Sequence, residues 1–180
     1  MFRRVVTGHV GNKSTIVADS APPRTHVLKA TPGMATSYLW ATHAQPKVPG
    51  EPVIETFTED IRFLPGVGET RFIYLQVAPD SVLLDENFDP AAAGAEMMAL
   101  QPEMAATMEL ENPGMHRTQT IDYVIVLDGE IYLEVDDEEE VRLTTHDVVI
   151  QNGTRHAWRN KSGKPTLLAV VLIGAAPRPA

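Results

Sequence analysis

The chain is built from short runs in which apolar residues recur or alternate, each closed by Gly, Asn, Asp or Pro. Residues 123–127, 130–135, 147–151 and 165–173 are rich in Val, Ile and Leu, which suit a pleated, half-buried surface, and each run predicts a strand. Asp128-Gly129 separates the first two as a two-residue hairpin signal, because both residues tolerate the positive φ of a tight turn. Nearer the start, residues 3–7 and 14–18 predict two short strands around Gly11-Asn12, and Ala21-Pro22-Pro23-Arg24 stops them. Residues 36–43, with the aromatic stretch Ser37 to Thr42, predict another strand in which Trp40 packs against its surroundings. Residues 45–52 hold three prolines and a glycine and read as a loop, and 70–78 predict a strand after the turn Pro65-Gly66-Val67-Gly68. Many short strands punctuated in this way argue an all-β, antiparallel sandwich or barrel.

One segment breaks the pattern. Between residues 90 and 110 the chain is alanine-rich, and Met97, Leu100, Met104 and Met108 recur near helical spacing. This predicts one or two short helices outside the barrel, the second starting at Pro102, since proline is tolerated in a first turn. A methionine stripe of this kind is first of all core packing, and alternatively the flexible wall of an apolar pocket or a lid.

Composition narrows the classes. With 180 residues and 43% hydrophobic content the chain can bury the core of a single domain. A net charge of −9, with no basic cluster to offset it, excludes nucleic acid as an expected partner. The acidic run 136–140 reads as a solvated hairpin turn. Without cysteine there are no disulfides, thiolate ligands or thiol nucleophiles, and a cytoplasmic location is the default expectation. No apolar run reaches 18 residues, and the stretch after Arg3 and Arg4 turns polar too soon for a signal peptide, so no membrane association is expected.

The stretch from Met115 to Asn160 carries the candidate chemistry. Residues two apart share a strand face, which places His116, Thr118, Thr120 and Asp122 together, and His156, Trp158 and Asn160 together, with Arg155 and Arg159 facing out. Two imidazoles, a carboxylate, hydroxyls and an indole against Val, Ile and Leu suit a small ligand with one or two polar groups. His9, His26, His43 and His146 read as surface or turn histidines. The plain structural reading of His116 and His156 is a hydrogen-bonded core histidine, and Asp122, between Ile121 and Tyr123, needs a cation, a metal or donors if buried.

This stretch resembles the two sequence motifs of the cupin superfamily. His116, Asp122 and Gly129 fill the first histidine, the glutamate and the final glycine of the first motif, and Gly153, His156 and Asn160 match the end of the second in type and spacing. Thr118 stands where a second histidine is usual, Gln151 where a proline is usual, and Thr145 and His146 lack the glycine of the preceding turn. The resemblance implies an antiparallel jelly-roll barrel over residues 36–176 with a short helical insertion. It further implies N-terminal strands in residues 1–35 that pack on the barrel or on a partner subunit in a homodimer, and a tail over residues 177–180.

The resemblance also implies catalytic roles for His116, Asp122 and His156, with Thr118, Thr120 and Trp158 lining a ligand pocket. The leading expectation is a lyase or isomerase, of dehydratase or decarboxylase type, acting on a small organic acid or cyclised product. In that scheme the imidazole nearer Asp122 is held protonated and gives its proton to oxygen, while the other removes a proton from carbon. Two histidines and a carboxylate are also the facial donor set for one divalent metal, Fe, Mn, Ni or Zn, which makes a metal-dependent dioxygenase or oxidoreductase the runner-up. Thr118 is a poor ligand and Asp122 is shorter than glutamate, and both weaken that reading. A non-catalytic barrel that binds a small ligand is the third.

Overall fold

The computed structural model describes residues 2–48, 51–58 and 61–177. Residues 49–50 of the expected 45–52 loop and residues 178–180 of the expected tail lie outside the described residues. In chain order the strands are β1 Arg4–Val10, β2 Lys13–Ser20, β3 Arg24–Val27, β4 Ala35–Thr42 and β5 Thr70–Val77. After helices α1 Pro90–Leu100 and α2 Pro102–Ala105 come β6 Thr120–Asp128, β7 Glu130–Glu134, β8 Glu140–Thr144, β9 Val148–Asn152, β10 Ala157–Arg159 and β11 Thr166–Gly174.

The side chains of β6 alternate between buried and exposed along most of its length, as its sequence pattern requires. β6 lies in a six-stranded sheet of order β3-β4-β5-β11-β6-β9, and a three-stranded sheet, β10-β7-β8, faces it. The neighbouring strands pair antiparallel throughout. Tyr38, Ile73, Val124, Val126, Ile131, Leu133, Leu168 and Leu172 fill the space between the two sheets. Burial of this kind stabilises by about 1.5–3 kcal/mol per large apolar side chain. This is the expected all-β antiparallel barrel.

Gly129 joins β6 to β7 at φ 92°, and a Cβ there would come within 2.9 Å of the Thr166 Oγ1 hydroxyl, so both backbone and space demand glycine. At the turn before β9 the positive φ falls on His146, at 79°, the place where the family glycine is missing.

Three strands were not delimited by the sequence pattern. β3 follows Pro22-Pro23 as a four-residue edge strand; β8 carries the charges Glu140 and Arg142; β10 is three residues long. With β3 on one side and β5 on the other, β4 is internal to the sheet, and Ser37, Tyr38, Leu39 and Ala41 are buried. β3 covers that edge of β4 only from Ala35 to Tyr38.

The helical segment lies where the alanine-rich pattern placed it. The Asp89 carboxylate accepts from the Ala91 and Ala92 amides and caps α1, with proline in the first turn of each helix. Neither helix buries a residue fully, so the methionine stripe rests on the barrel rather than forming its core. Glu96 fastens α1 by accepting from the Lys29 and Ala30 amides at 2.9 and 2.8 Å. β1 and β2 form a separate hairpin, tied to the barrel by Arg4, which donates to the carbonyls of Leu39 and Ile54 and pairs with Glu55. No helix among the described residues is long and apolar enough to cross a membrane.

Candidate functional site

His116 and His156 sit just before β6 and β10, on segments that pair as an isolated antiparallel bridge. Each backbone amide donates to the other residue's carbonyl at 3.0 Å. That pairing brings the two imidazoles together, with ring centroids 4.3 Å apart and planes tilted by 54°. His116 Nδ1 lies 2.9 Å from the Gly114 carbonyl, and His156 Nδ1 lies 3.0 Å from the Thr154 carbonyl. A carbonyl only accepts, so both Nδ1 atoms carry the proton, and both Nε2 atoms present a lone pair.

Both rings are buried, at 7% and 4% exposure. Burial lowers the pKa of His116, and it lowers that of His156 to about 4, with the neighbouring His116 charge adding to the effect. The expectation that Asp122 keeps one imidazole protonated is corrected: its charge is not among the influences on either ring, and loss of hydration dominates both.

His116, Thr118, Thr120 and Asp122 share one buried face, while Arg117, Gln119 and Ile121 point out. The Thr118 and Thr120 hydroxyls are 2.7 Å apart. Burial raises the Asp122 pKa to about 6, and a hydrogen bond from the Thr120 side chain pulls weakly the other way. Its Oδ1 is buried and has no hydrogen-bond partner among the described residues. Trp158 stands edge-on to His156 at 5.9 Å and is half-buried.

The second run follows the expected alternation only in part, because Ala157 is fully buried between His156 and Trp158. Arg155 and Arg159 do lie outward. Arg155 pairs with Glu109 and Asp136, and Arg159 pairs with Glu134. Asn160 is fully buried and structural, with its Nδ2 donating to the carbonyls of Val77 and Lys164. Of the remaining histidines, His43 and His146 are exposed and His9 is half-buried. His26 differs from its expected place, since its half-buried ring meets the Tyr38 hydroxyl at 3.3 Å.

Gln151, which stands where a proline is usual in the motif, is a further buried polar residue beside Asp122. It pairs with Asp122 across β6 and β9, is 3% exposed, and its Nε2 has no hydrogen-bond partner among the described residues. Its signal in the sequence was a polar side chain at a position whose neighbours on the same face are inward.

Among the described residues no three His, Cys, Asp or Glu side chains are grouped in a way that could hold a metal ion. The two imidazoles have free Nε2 atoms, but as placed they do not form a three-donor set with Asp122. Two cavities open elsewhere: one of about 580 Å³ beside Gly129, Thr145 and Lys164, the other of about 440 Å³ between Arg4, Trp40 and Phe72. Neither touches the buried polar residues of the barrel.

Two antiparallel sheets enclosing a buried histidine pair and a carboxyl define a β-barrel with a polar centre. Residues 106–172 match the family model described as Cupin domain. It is similar to the phomopsin biosynthesis cluster protein C' of Diaporthe leptostromiformis, 56% identical over 48 residues that cover 27% of this chain and 25% of that protein. It is also similar to a cupin-domain-containing oxidoreductase of Neurospora crassa, 40% identical over 58 residues, 32% of this chain and 29% of that one. The matches thus span between a quarter and a third of the length of these curated relatives. Among solved structures, a Cupin 2 conserved barrel domain protein from Salinispora arenicola superposes with a TM-score of 0.41 at 15% identity, covering 79% of this chain and 76% of that one.

Proposed function

We propose that the barrel interior is the active site of a small-molecule enzyme of lyase or isomerase type, working by general acid–base chemistry. The observation that carries this is the geometry of the histidine pair: buried, with Nδ1–H fixed on backbone carbonyls and Nε2 left to act, while burial lowers the pKa of both rings. A neutral Nε2 is a base, here held in one tautomer and one orientation by the Nδ1–H contact. Asp122, with its pKa raised to about 6, can hold and release a proton near neutral pH, which suits it to protonate a leaving or carbonyl oxygen. If Thr120 donates to Asp122, then Thr118 donates to Thr120, and the two hydroxyls orient the substrate along that face. The histidines are then the bases and the carboxyl the acid, which shifts the acid role away from an imidazole. Dehydration or proton transfer between carbons of a small organic molecule is the reaction class these roles serve.

Deuterium incorporation tests this reading. Incubating the protein in D2O with a panel of small hydroxy and oxo compounds should give exchange at carbon, and His156→Gln should abolish it. Curated relatives bear the description cupin-domain-containing oxidoreductase, so the same panel is followed by oxygen uptake with added Fe(II). Oxygen uptake without carbon exchange would replace the lyase reading with an oxidoreductase. Binding without either reaction would leave a non-catalytic barrel.

A homodimer is the assembly we propose. The outer face of the six-stranded sheet carries Phe72, Ile121, Tyr123, Ile125, Val148 and Ile150, exposed between 36% and 57%. Strand register joins them into one patch: Tyr123 faces Ile150, Ile125 faces Val148, and Val171 bridges Tyr123 to Phe72. Together they expose roughly 500 Å² of apolar surface, much of the ~800 Å² that each partner contributes to a stable interface. The β1–β2 hairpin pairs with no other strand and exposes Val5, Val10 and Ile16, and a hairpin alone is marginal in water. A second copy of the chain, laid on this face and on the hairpin, would cover both.

A further inference from the structure

We infer that Asp122 and Gln151 together form a recognition pair for a neutral group that presents a hydrogen-bond acceptor and a donor on neighbouring atoms, the pattern of a primary carboxamide or a lactam. The inference rests on the reading of the interior as a ligand site and names the substrate class for it. The two residues are register partners on β6 and β9, and both are buried, at 5% and 3% exposure. Directly opposed residues hold their Cβ atoms about 5 Å apart, so both side chains reach one small group. Thr154 Oγ1 donates to Gln151 Oε1, which turns the amide so that Nε2 is left over. Among the described residues that donor and Asp122 Oδ1, an acceptor, have no hydrogen-bond partner, and they are two of the three such buried side-chain atoms there.

Buried polar groups are almost always paired, and an unpaired one costs enough that two on adjacent strand positions point to something that completes them. A carbonyl oxygen accepts from Gln151 Nε2, and an adjacent N–H donates to Asp122 Oδ1. The charge balance selects a neutral partner over an anion. The one buried guanidinium among the described residues, Arg71, is occupied by Glu69 and by the carbonyls of Arg62 and Thr70. A substrate carboxylate would therefore meet the Asp122 carboxylate with no cation to offset it. This narrows the expected organic acid to its neutral amide or cyclised form at the group that Asp122 and Gln151 hold.

The test is an NMR titration of the ¹⁵N-labelled full chain at pH 7.5, with 2-pyrrolidinone, cyclopentanone and acetate as probes. 2-Pyrrolidinone carries the acceptor and the donor, cyclopentanone of similar size only the acceptor, and acetate a negative charge. The expected result is that 2-pyrrolidinone shifts the Gln151 side-chain amide signals and binds at least tenfold more tightly than either other probe. Gln151→Glu keeps the shape and removes the donor, and it should abolish the preference; Asp122→Asn should reduce it. Equal binding of 2-pyrrolidinone and cyclopentanone, tighter binding of acetate, or an unmoved Gln151 signal at saturation would overturn the inference, the last leaving only a buried water on the pair. Failure of the acid–base reading is separable, because a protein without carbon exchange would still show the lactam preference.

Discussion

His116 and His156 exchange both backbone hydrogen bonds and hold their rings 4.3 Å apart, each with Nδ1–H on the carbonyl two residues before it. Two imidazoles at this distance inside a barrel disfavour carrying charge together, and loss of hydration lowers the pKa of each, so acid is what disturbs the pair. Asp122, on the same buried face as His116, is likewise pushed toward its neutral form, which for a carboxyl means holding its proton.

The two shifts predict a specific pH profile. His156, ordinarily near 6.5, is lowered to about 4 in the folded protein, so across that window the unfolded chain binds more protons and stability falls with acid. Asp122, ordinarily near 3.8, is raised to about 6, so between those values the folded protein binds more protons and stability rises with acid. The contributions oppose each other between about pH 4 and 6. Chemical denaturation should show a shallow pH dependence there for the parent. Asp122→Asn should be steeper, losing stability as the pH falls, while gaining on the order of 2 kcal/mol above pH 7, where a buried charge is removed. A parallel shift of the two profiles would exclude this account.

Much of this barrel was legible because its strands are half-buried: the alternation of Thr120, Asp122, Val124 and Val126 inward with Ile121, Tyr123 and Ile125 outward is written in the chain. The outward Ile, Tyr and Ile also show the limit of the pattern, since apolar residues on both faces look like a strand buried on both sides. Short edge strands such as Arg24–Val27 are set by pairing with β4 rather than by their own composition. In the site, residue types and faces could be read for His116, Thr118, Thr120 and Asp122. The unpaired state of Gln151 Nε2 could not, because it depends on which partner Thr154 takes across the turn.

His146 occupies the left-handed region at φ 79° with an exposed side chain. A Cβ in that conformation costs about 1 kcal/mol, which glycine avoids at the expense of some unfolded-chain entropy. His146→Gly should raise the free energy of unfolding by about 0.5–1 kcal/mol with the same denaturant slope. A loss of stability would show that the His146 side chain contributes contacts of its own.

Tyr123 stands near the middle of the apolar outer face, opposite Ile150 and Val171, and is 46% exposed. Tyr123→Lys would leave the barrel interior untouched and place two charges near the axis of a symmetric interface. Sedimentation at micromolar concentration should show a dimer for the parent and a monomer for the variant, at least a tenfold weakening. A parent that sediments as a monomer would remove the interface altogether.

The segment between α2 and β6 is tied down by charge. Arg155 Nε and one terminal nitrogen grip Glu109 at 2.6 and 2.7 Å, its other terminal nitrogen meets Asp136 at 3.0 Å, and Arg159 donates to the Pro113 carbonyl at 2.7 Å. Within the segment the Glu109 amide donates to the Met115 carbonyl, and Met108 bridges to His116, so its position is coupled to the histidine pair. Arg155 is partly exposed, so the pair contributes modestly to global stability, and its main effect is local. Arg155→Ala should therefore lower unfolding stability by only about 1 kcal/mol. It should raise hydrogen exchange at the Glu109 and Met115 amides by tenfold or more, and speed the modification of His116 and His156 by diethyl pyrocarbonate. Faster exchange without faster histidine modification would show that this segment does not control access to the pair.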